Sequence, residues 1–337
     1  MKNNGLVADD EEKNIRLKDA LKDLIELSHE LTTSFVPDAP FSPSALEFLR
    51  QVHSNFPIVY RGAAADWPAL DPASGRKWSK QFFLDTLGDS SVLVAETPLG
   101  NADAPLGEQF VQPCTSTLLF TDFMAKLTSG EESGVCYMQS QNNNLPNEFP
   151  KLVEDIDKEL AWASEAFDAQ PDAVNLWIGS SKSVTSLHKD PYENLHVQVL
   201  GRKVFKLIAP TEYICVKEEN LRQAYYTKTS DGTFTVVEDG DTIPWPTADP
   251  DALDMSDAWQ AQCRVLEVVL NPGDILYLPA LWFHKVSQVS DDEGLCCSVN
   301  YWYDMDFTGP LWALSNFART CSRIVCHSPD ELTNIIH

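Results

Sequence analysis

After about residue 172 the chain breaks into short runs rich in β-branched and aromatic residues: 173–178, 195–200, 202–208, 264–270, 274–278, 282–288 and 295–303. Turn signals separate several of them, among them Pro191, Gly201 and Asn271-Pro272-Gly273. Many short strands at close spacing specify a sandwich or a barrel, and the double-stranded β-helix is one such form. One stretch interrupts the pattern. Residues 217–262 hold ten acidic and three basic residues, with Pro244, Pro246 and Pro250. A long insertion in a compact domain is usually either functional or mobile.

Before residue 172 the texture is mixed α and β. Residues 1–10 read as a disordered start. Ile15, Leu17, Leu21, Leu24, Ile25 and Leu31 then recur at helical spacing over 11–33. A second helix is expected from Ser42 or Ser44, as its cap, to Val52. Phe56–Tyr60 reads as a strand closed by Arg61-Gly62. Residues 78–87 and 117–128 read as helices, Leu93–Ala95 and Val135–Met138 as short strands, and 309–324 as a C-terminal helix. The expected organisation is a disordered 1–10, a mixed helical part over 11–130, a β core over 131–308 with its 217–262 insertion, and a helical tail over 309–337.

Composition narrows the function. The 337 residues are 43% hydrophobic, enough to bury a core. The formal net charge is −25, with no Lys/Arg cluster. That speaks against nucleic acid, whose phosphates need such clusters, and suits a basic peptide or protein, although charge also serves solubility. There is no run of about 20 apolar residues, so no membrane span is expected. Met1-Lys2-Asn3-Asn4 runs into Asp9-Asp10-Glu11-Glu12 without an apolar core, so no secretory signal is expected. The expected location is cytoplasmic, also nuclear, with the eight cysteines reduced. Cysteine spacing shows no zinc-finger pattern; Cys321, Cys326 and His327 are a weak metal candidate.

His188-Lys189-Asp190 carries the chemistry. In extended backbone, residues i and i+2 point to the same side, so the imidazole and the carboxylate can grip one ion. A mononuclear Fe(II) site for O2 chemistry needs two imidazoles and one carboxylate, leaving three positions open. His284, in Pro279-Ala280-Leu281-Trp282-Phe283-His284, is the best third ligand, in a β-rich segment after a Pro-Gly-Asp turn. A His-x-Asp triplet alone is weak, and either histidine could be an ordinary core or surface residue. Fe(II) hydroxylation also needs two further electrons, which oxidative decarboxylation of 2-oxoglutarate supplies. The distal carboxylate of that co-substrate needs a buried cation. Lys203 shares a strand face with Phe205 and Leu207, an expensive place for a lysine unless it meets an anion or snorkels to the rim.

Four stretches of the chain extend this pattern. Asn175-Leu176-Trp177-Ile178-Gly179 followed by Thr185-Ser186-Leu187-His188-Lys189-Asp190-Pro191-Tyr192-Glu193-Asn194 resembles the iron-binding segment of Jumonji-C oxygenases. So do Gly273–His284 and Val299-Asn300-Tyr301-Trp302-Tyr303-Asp304, and Pro57–Gly62 with Asp66-Trp67-Pro68 resembles the family's N-terminal part. The resemblance covers roughly 50–310. It implies a mixed α+β fold: a double-stranded β-helix (jelly-roll, cupin-like) core with N- and C-terminal helices.

For the site, the resemblance implies Fe(II) on His188, Asp190 and His284, with 2-oxoglutarate and O2 as co-substrates. It implies that Lys203 pairs with the distal carboxylate and that Thr185 and Tyr137 donate hydroxyl hydrogen bonds to it. Asn194 and Asn300 would line the co-substrate pocket, and Trp302 would pack beside it. Thr185 lies three residues before His188, the wrong parity for a regular strand, so its role needs a bulge or bend. Thr185–Asp190, Pro244-Trp245-Pro246 and Asn300–Met305 are most similar to the family's small lysyl hydroxylases. That likeness implies a protein substrate, a lysine of a developmentally regulated GTP-binding protein. Other targets stay open: arginine, asparagine, histidine, methyl-lysine or a modified tRNA base, as do a zinc-dependent cupin and an inactive binding scaffold. Relatives that pair through terminal helices also imply a homodimer, with 11–33 and 309–324 as the candidate surfaces.

Overall fold

Asn194-Leu195-His196-Val197-Gln198-Val199 alternates polar and apolar side chains, and extended backbone sends the two kinds to opposite faces. In the computed structural model, which describes residues 3–129 and 134–327, this segment is a strand buried on both faces. It is the third of eight: β1 (Ala173–Gly179), β2 (Val184–His188), β3 (Tyr192–Leu200), β4 (Arg202–Ile208), β5 (Leu266–Leu270), β6 (Ile275–Leu278), β7 (Phe283–Val289) and β8 (Cys296–Asp304). The order β1-β8-β3-β6 makes the main sheet and β2-β7-β4-β5 the facing sheet, with every neighbouring pair antiparallel. This is the winding of a double-stranded β-helix, as expected. Gly201 turns β3 into β4 at φ +65°, where a Cβ would fall 2.5 Å from the Val289 carbonyl oxygen.

The largest core lies outside the barrel. Leu195, Val197 and Val199 on the outer face of β3 pack into one cluster with Phe48, Trp67, Trp78, Phe83, Phe120 and Phe149 from the N-terminal half. A second cluster includes Phe205, Leu207, Val268, Leu276 and Val286 from the barrel strands. The outer layer is held in register at two points. Ser44 caps the helix Ala45–Ser54 in a full capping box with Glu47, whose Oε2 accepts the Ser44 N–H at 2.8 Å. Asp274, buried at the head of β6, accepts from Arg61 Nη1 (2.8 Å), Gly62 N (3.0 Å) and Asn271 N (3.0 Å), clipping the lead-in strand Ile58–Tyr60 to the β5–β6 turn.

Several expectations change. The N-terminal helix runs Asn3–Leu31, so residues 3–10 continue the helix where a disordered start was expected; no proline interrupts that run, and Met1 and Lys2 lie outside the described residues. The expected helix over 117–128 begins at Phe120, because Cys114–Leu119 pairs antiparallel with Ser91–Thr97 and tertiary pairing overrides local propensity. The β core was expected from 131, but the barrel starts at Ala173. Positions 131–133 lie outside the described residues, and the elements between Val135 and Phe167 belong mainly to the outer layer. The 217–262 insertion is a long hairpin, Glu218–Lys228 with Phe234–Pro246, which pairs in parallel with Gln109–Gln112. The C-terminal helix is Pro310–Cys326, packed against the N-terminal helix; 328–337 lie outside the described residues. Among the described residues no helix is long and apolar enough to cross a membrane.

Phe48 meets Trp162, Tyr277 and Phe167 edge-on at 4.7, 5.0 and 5.4 Å, joining the helix Ala45–Ser54 to β6. Phe48→Ala should destabilise the protein by about 3–5 kcal/mol, read as a lower urea midpoint with an unchanged slope.

Candidate active site

His188 closes β2 and His284 lies on β7, directly opposite each other in the ladder. Asp190 follows in the β2–β3 turn, and its carbonyl accepts the Leu281 N–H at 2.9 Å. Leu281 holds a left-handed φ of +70°, which closes the turn just before β7. The ligand atoms of His188, Asp190 and His284 all lie within 4.8 Å of one another. Asp190 Oδ2 stands 3.6 Å from Nε2 of each histidine, and the two rings are 4.1 Å apart between centroids.

Each imidazole is oriented from behind. His188 Nδ1 lies 2.7 Å from the Ser186 carbonyl and His284 Nδ1 lies 3.0 Å from the Trp282 carbonyl. A ring that donates Nδ1–H to a carbonyl keeps a lone pair on Nε2, the nitrogen that faces Asp190. Burial, then the neighbouring His188, pushes His284 down to about 4, so this ring is neutral across the physiological range. Burial opposes the charged form of His188, but Asp190 outweighs it and holds the ring up. Burial likewise works to raise Asp190, and the two histidines outweigh it. Two neutral-capable nitrogens and one carboxylate on one side of a point match the donor set for non-haem Fe(II), and the residues fit that ion.

Lys203 is 2% exposed on β4, on the face shared with Phe205 and Leu207. Among the described residues it forms no ion pair with a carboxylate. Its Nζ donates to the Tyr137 hydroxyl at 3.4 Å and sits 5.3 Å from the Trp177 ring centre. Burial lowers its pKa to about 8. A buried, unpaired ammonium at the end of a cleft calls for an anionic ligand. Tyr137 stays a phenol, its pKa raised by burial, and its hydroxyl also faces Thr185 and Gln288. Because Lys203 donates to it, the Tyr137 proton is free to point at an acceptor. Gly179 on β1 leaves room for this ring: a Cβ there would lie 2.8 Å from Tyr137 Cδ2.

Thr185 reaches the cleft by the irregularity its parity demands. It pairs with Val286 while His188 pairs with His284, three residues on β2 against two on β7, a β-bulge that turns both side chains inward. Asn300 Nδ2 donates to Asn194 Oδ1 at 3.2 Å, and Asn300 Oδ1 accepts from Trp177 Nε1 at 2.7 Å. Trp302 stacks on Tyr192 at 4.7 Å, and its buried Nε1 has no hydrogen-bond partner. All nine residues singled out from sequence line one cleft: His188, Asp190, His284, Lys203, Thr185, Tyr137, Asn194, Asn300 and Trp302.

The sequence reading missed others. His196, Trp177 and Gln141 line the same cleft, and Gln288 backs Tyr137. His196 Nε2 is buried without a partner, and burial, then Lys203, holds this imidazole well below its usual range. The signal was the alternation itself: Asn194 and His196 on β3 stand opposite Trp302 and Asn300 on β8, all on the inner face. The acidic stretch Glu238–Asp241 does not line the cleft, and neither do Cys321, Cys326 and His327, which form no three-ligand cluster among the described residues.

Residues 43–309 match the family described as cupin-like domain. The chain is 41% identical over 278 residues to the human bifunctional peptidase and (3S)-lysyl hydroxylase JMJD7, covering 81% of this chain and 85% of that protein. It is 36% identical over 282 residues to the lysine-specific demethylase JMJ32 of Arabidopsis thaliana, covering 79% and 80%. It is 32% identical over 297 residues to JmjC domain-containing protein E of Dictyostelium discoideum, covering 79% and 83%.

Lys203 also yields a stability test. Its pKa falls from the ordinary 10.5 to about 8 on folding, so the charged form penalises the folded state below about 8. The penalty fades as pH rises from there to the unfolded value. Lys203→Met removes it, and the variant should be more stable than wild type at neutral pH by up to about 3 kcal/mol. Urea unfolding at neutral and strongly alkaline pH should show that gap closing as pH rises.

Proposed function

The chain belongs to the cupin-like Jumonji-C family of oxygenases, and we propose that it is a protein hydroxylase acting at C-3 of a lysine side chain, dependent on Fe(II), 2-oxoglutarate and O2, with succinate and CO2 as co-products. The observation that carries the co-substrate is Lys203, a buried cation without an anion, at the end of the cleft that also holds His188, Asp190 and His284. When bound, Fe(II) and 2-oxoglutarate supply O2 activation coupled to oxidative decarboxylation. The chain's own residues hold the reactants. His188, Asp190 and His284 take the ion through Nε2, Oδ and Nε2. Lys203 pairs with the distal carboxylate, with hydrogen bonds from Tyr137 and Thr185. Asn194 and Asn300 offer amides beside the metal, and Trp302 closes the wall.

Asp103 supports a cationic substrate. Ala102 pairs in parallel with Thr185, which places Asp103 one residue further on, at a left-handed φ of +52°. Gln139 Nε2 donates to its Oδ2 at 3.3 Å, and no Lys or Arg pairs with it among the described residues. Burial holds this carboxyl above its usual range, against the pull of nearby His188. An ammonium on an incoming lysine would complete its pairing. The human relative's name includes lysyl hydroxylase, and the likeness of Thr185–Asp190 and Asn300–Met305 points to developmentally regulated GTP-binding proteins as the source of that lysine.

The decisive assay follows succinate release and peptide mass together, using a lysine-containing peptide from such a GTP-binding protein. Gain of one oxygen atom on lysine, coupled to succinate, is the expected result. Loss of a methyl group from a methylated peptide would replace hydroxylation by demethylation, and succinate release without peptide modification would reject the substrate. His188→Ala and Asp190→Ala should each cut turnover roughly a hundredfold or more with an unchanged far-ultraviolet circular dichroism spectrum. Asp103→Asn should raise KM for the lysine peptide while peptide-independent succinate release stays within about twofold, as a carboxylate that pairs with the substrate and not with the iron requires.

A further inference from the structure

A second group of metal-ligating side chains lies away from the cleft. Glu212 and Cys215 lie three residues apart in the 3-10 segment Pro210–Val216, which kinks at Glu212. Cys263 closes the short 3-10 turn Gln260–Gln262, at the far end of the insertion. The Glu212 carboxylate and the Cys215 and Cys263 sulfurs all lie within 4.8 Å of one another. From the N-terminal helix, His29 brings Nε2 to 3.1 Å from Glu212 Oε1, and that buried nitrogen makes no hydrogen bond. Glu212 is 1% exposed and Cys215 is fully buried. The other oxygen of Glu212 is already committed, accepting the Arg264 N–H at 2.6 Å. This backbone bond orients the carboxylate and leaves Oε1 beside His29, the arrangement that a backing hydrogen bond gives to a metal-binding carboxylate.

We propose that Cys215, Cys263, Glu212 and His29 form a second metal site, which takes a thiophilic divalent cation of the zinc class. Two sulfurs with one nitrogen and one oxygen are a tetrahedral set that selects such a cation over Fe(II) or Mg(II). Metal–sulfur bonds of about 2.3 Å and metal–nitrogen or –oxygen bonds of about 2.0–2.1 Å place tetrahedral ligand atoms roughly 3.3–3.8 Å apart, so Glu212, Cys215 and Cys263 need only a small closing movement, and His29 must swing in from its contact with Glu212. All four positions are filled by protein, which marks a structural role. The ion would tie the last turn of the N-terminal helix to the segment after β4 and to the return from the insertion hairpin. Without it, a buried thiol, a half-buried thiol and a buried carboxylate face one another.

The test uses the full chain, reduced and stripped with chelator, then titrated with Co(II) alone. A thiolate-to-cobalt charge-transfer band should grow to one equivalent and be displaced by Zn(II). It should persist in the variant His188→Ala/Asp190→Ala, because the cleft site contains no sulfur, and be lost in Cys263→Ser. X-ray absorption on the zinc-loaded wild-type protein needs no variant and should count two sulfur neighbours at about 2.3 Å. The proposal is overturned by absence of the sulfur band in the reduced protein, by its survival in Cys263→Ser, by a zinc shell without sulfur, or by an intact mass showing Cys215 and Cys263 joined as a disulfide under reducing conditions.

Discussion

The barrel can keep polar side chains inside because its main sheet buries its apolar side outside. Leu195, Val197 and Val199 supply the hydrophobic surface that stabilises β3, and the N-terminal layer built around Phe48, Trp78 and Phe120 covers it. That burial leaves Asn194 and His196 free to face inward beside Asn300 and Trp302. In an ordinary sandwich the space between the sheets is the core and must be apolar. Here apolar side chains such as Phe205 and Val286 line the interior side by side with the polar groups that carry the chemistry. The outer layer is thus part of the condition for a site, although it supplies few of the site's side chains.

Within that frame the site stores unfavourable electrostatics. Among the described residues, Lys203 is buried without a counter-ion and His196 and Trp302 each hold a buried nitrogen without a partner, while Leu281 adopts a backbone conformation that favours glycine. Each feature costs stability in the ligand-free protein. Together they mark where a metal and an anionic co-substrate would be received, because those ligands supply the missing charge and acceptors. The backbone carbonyls of Ser186 and Trp282 do the opposite work, holding both imidazoles before any ligand arrives. A preoriented donor set beside an unpaired cation is the physical pattern expected of a two-component site.

The strands after residue 172 were legible because β-branched runs and Gly or Pro turns punctuate them clearly, and the His-x-Asp pair with a distant histidine stood out by ligand chemistry. The strands between residues 101 and 119 were not, since Asp103, Pro105 and Gly107 break any local pattern and pairing in the folded structure, much of it with partners distant in sequence, makes them strands. Thr185 shows the boundary well. Its parity is wrong for a regular strand, and the bulge that corrects it is a property of the ladder with β7. Asp103, His196 and Gln288 carried no signal strong enough to be picked out singly.

What the sequence determined by itself is the strand pattern of the barrel and the identity of the candidate metal-ligating side chains, because alternation and ligand type are local properties of the chain. What only the tertiary structure decided is which inward positions are wet and which are packed, which lysine is stranded without an anion, and that Asp103 stands near His188. Those facts depend on register, on a one-residue bulge and on the layer that covers the main sheet, and each is a relation between segments that lie far apart in sequence.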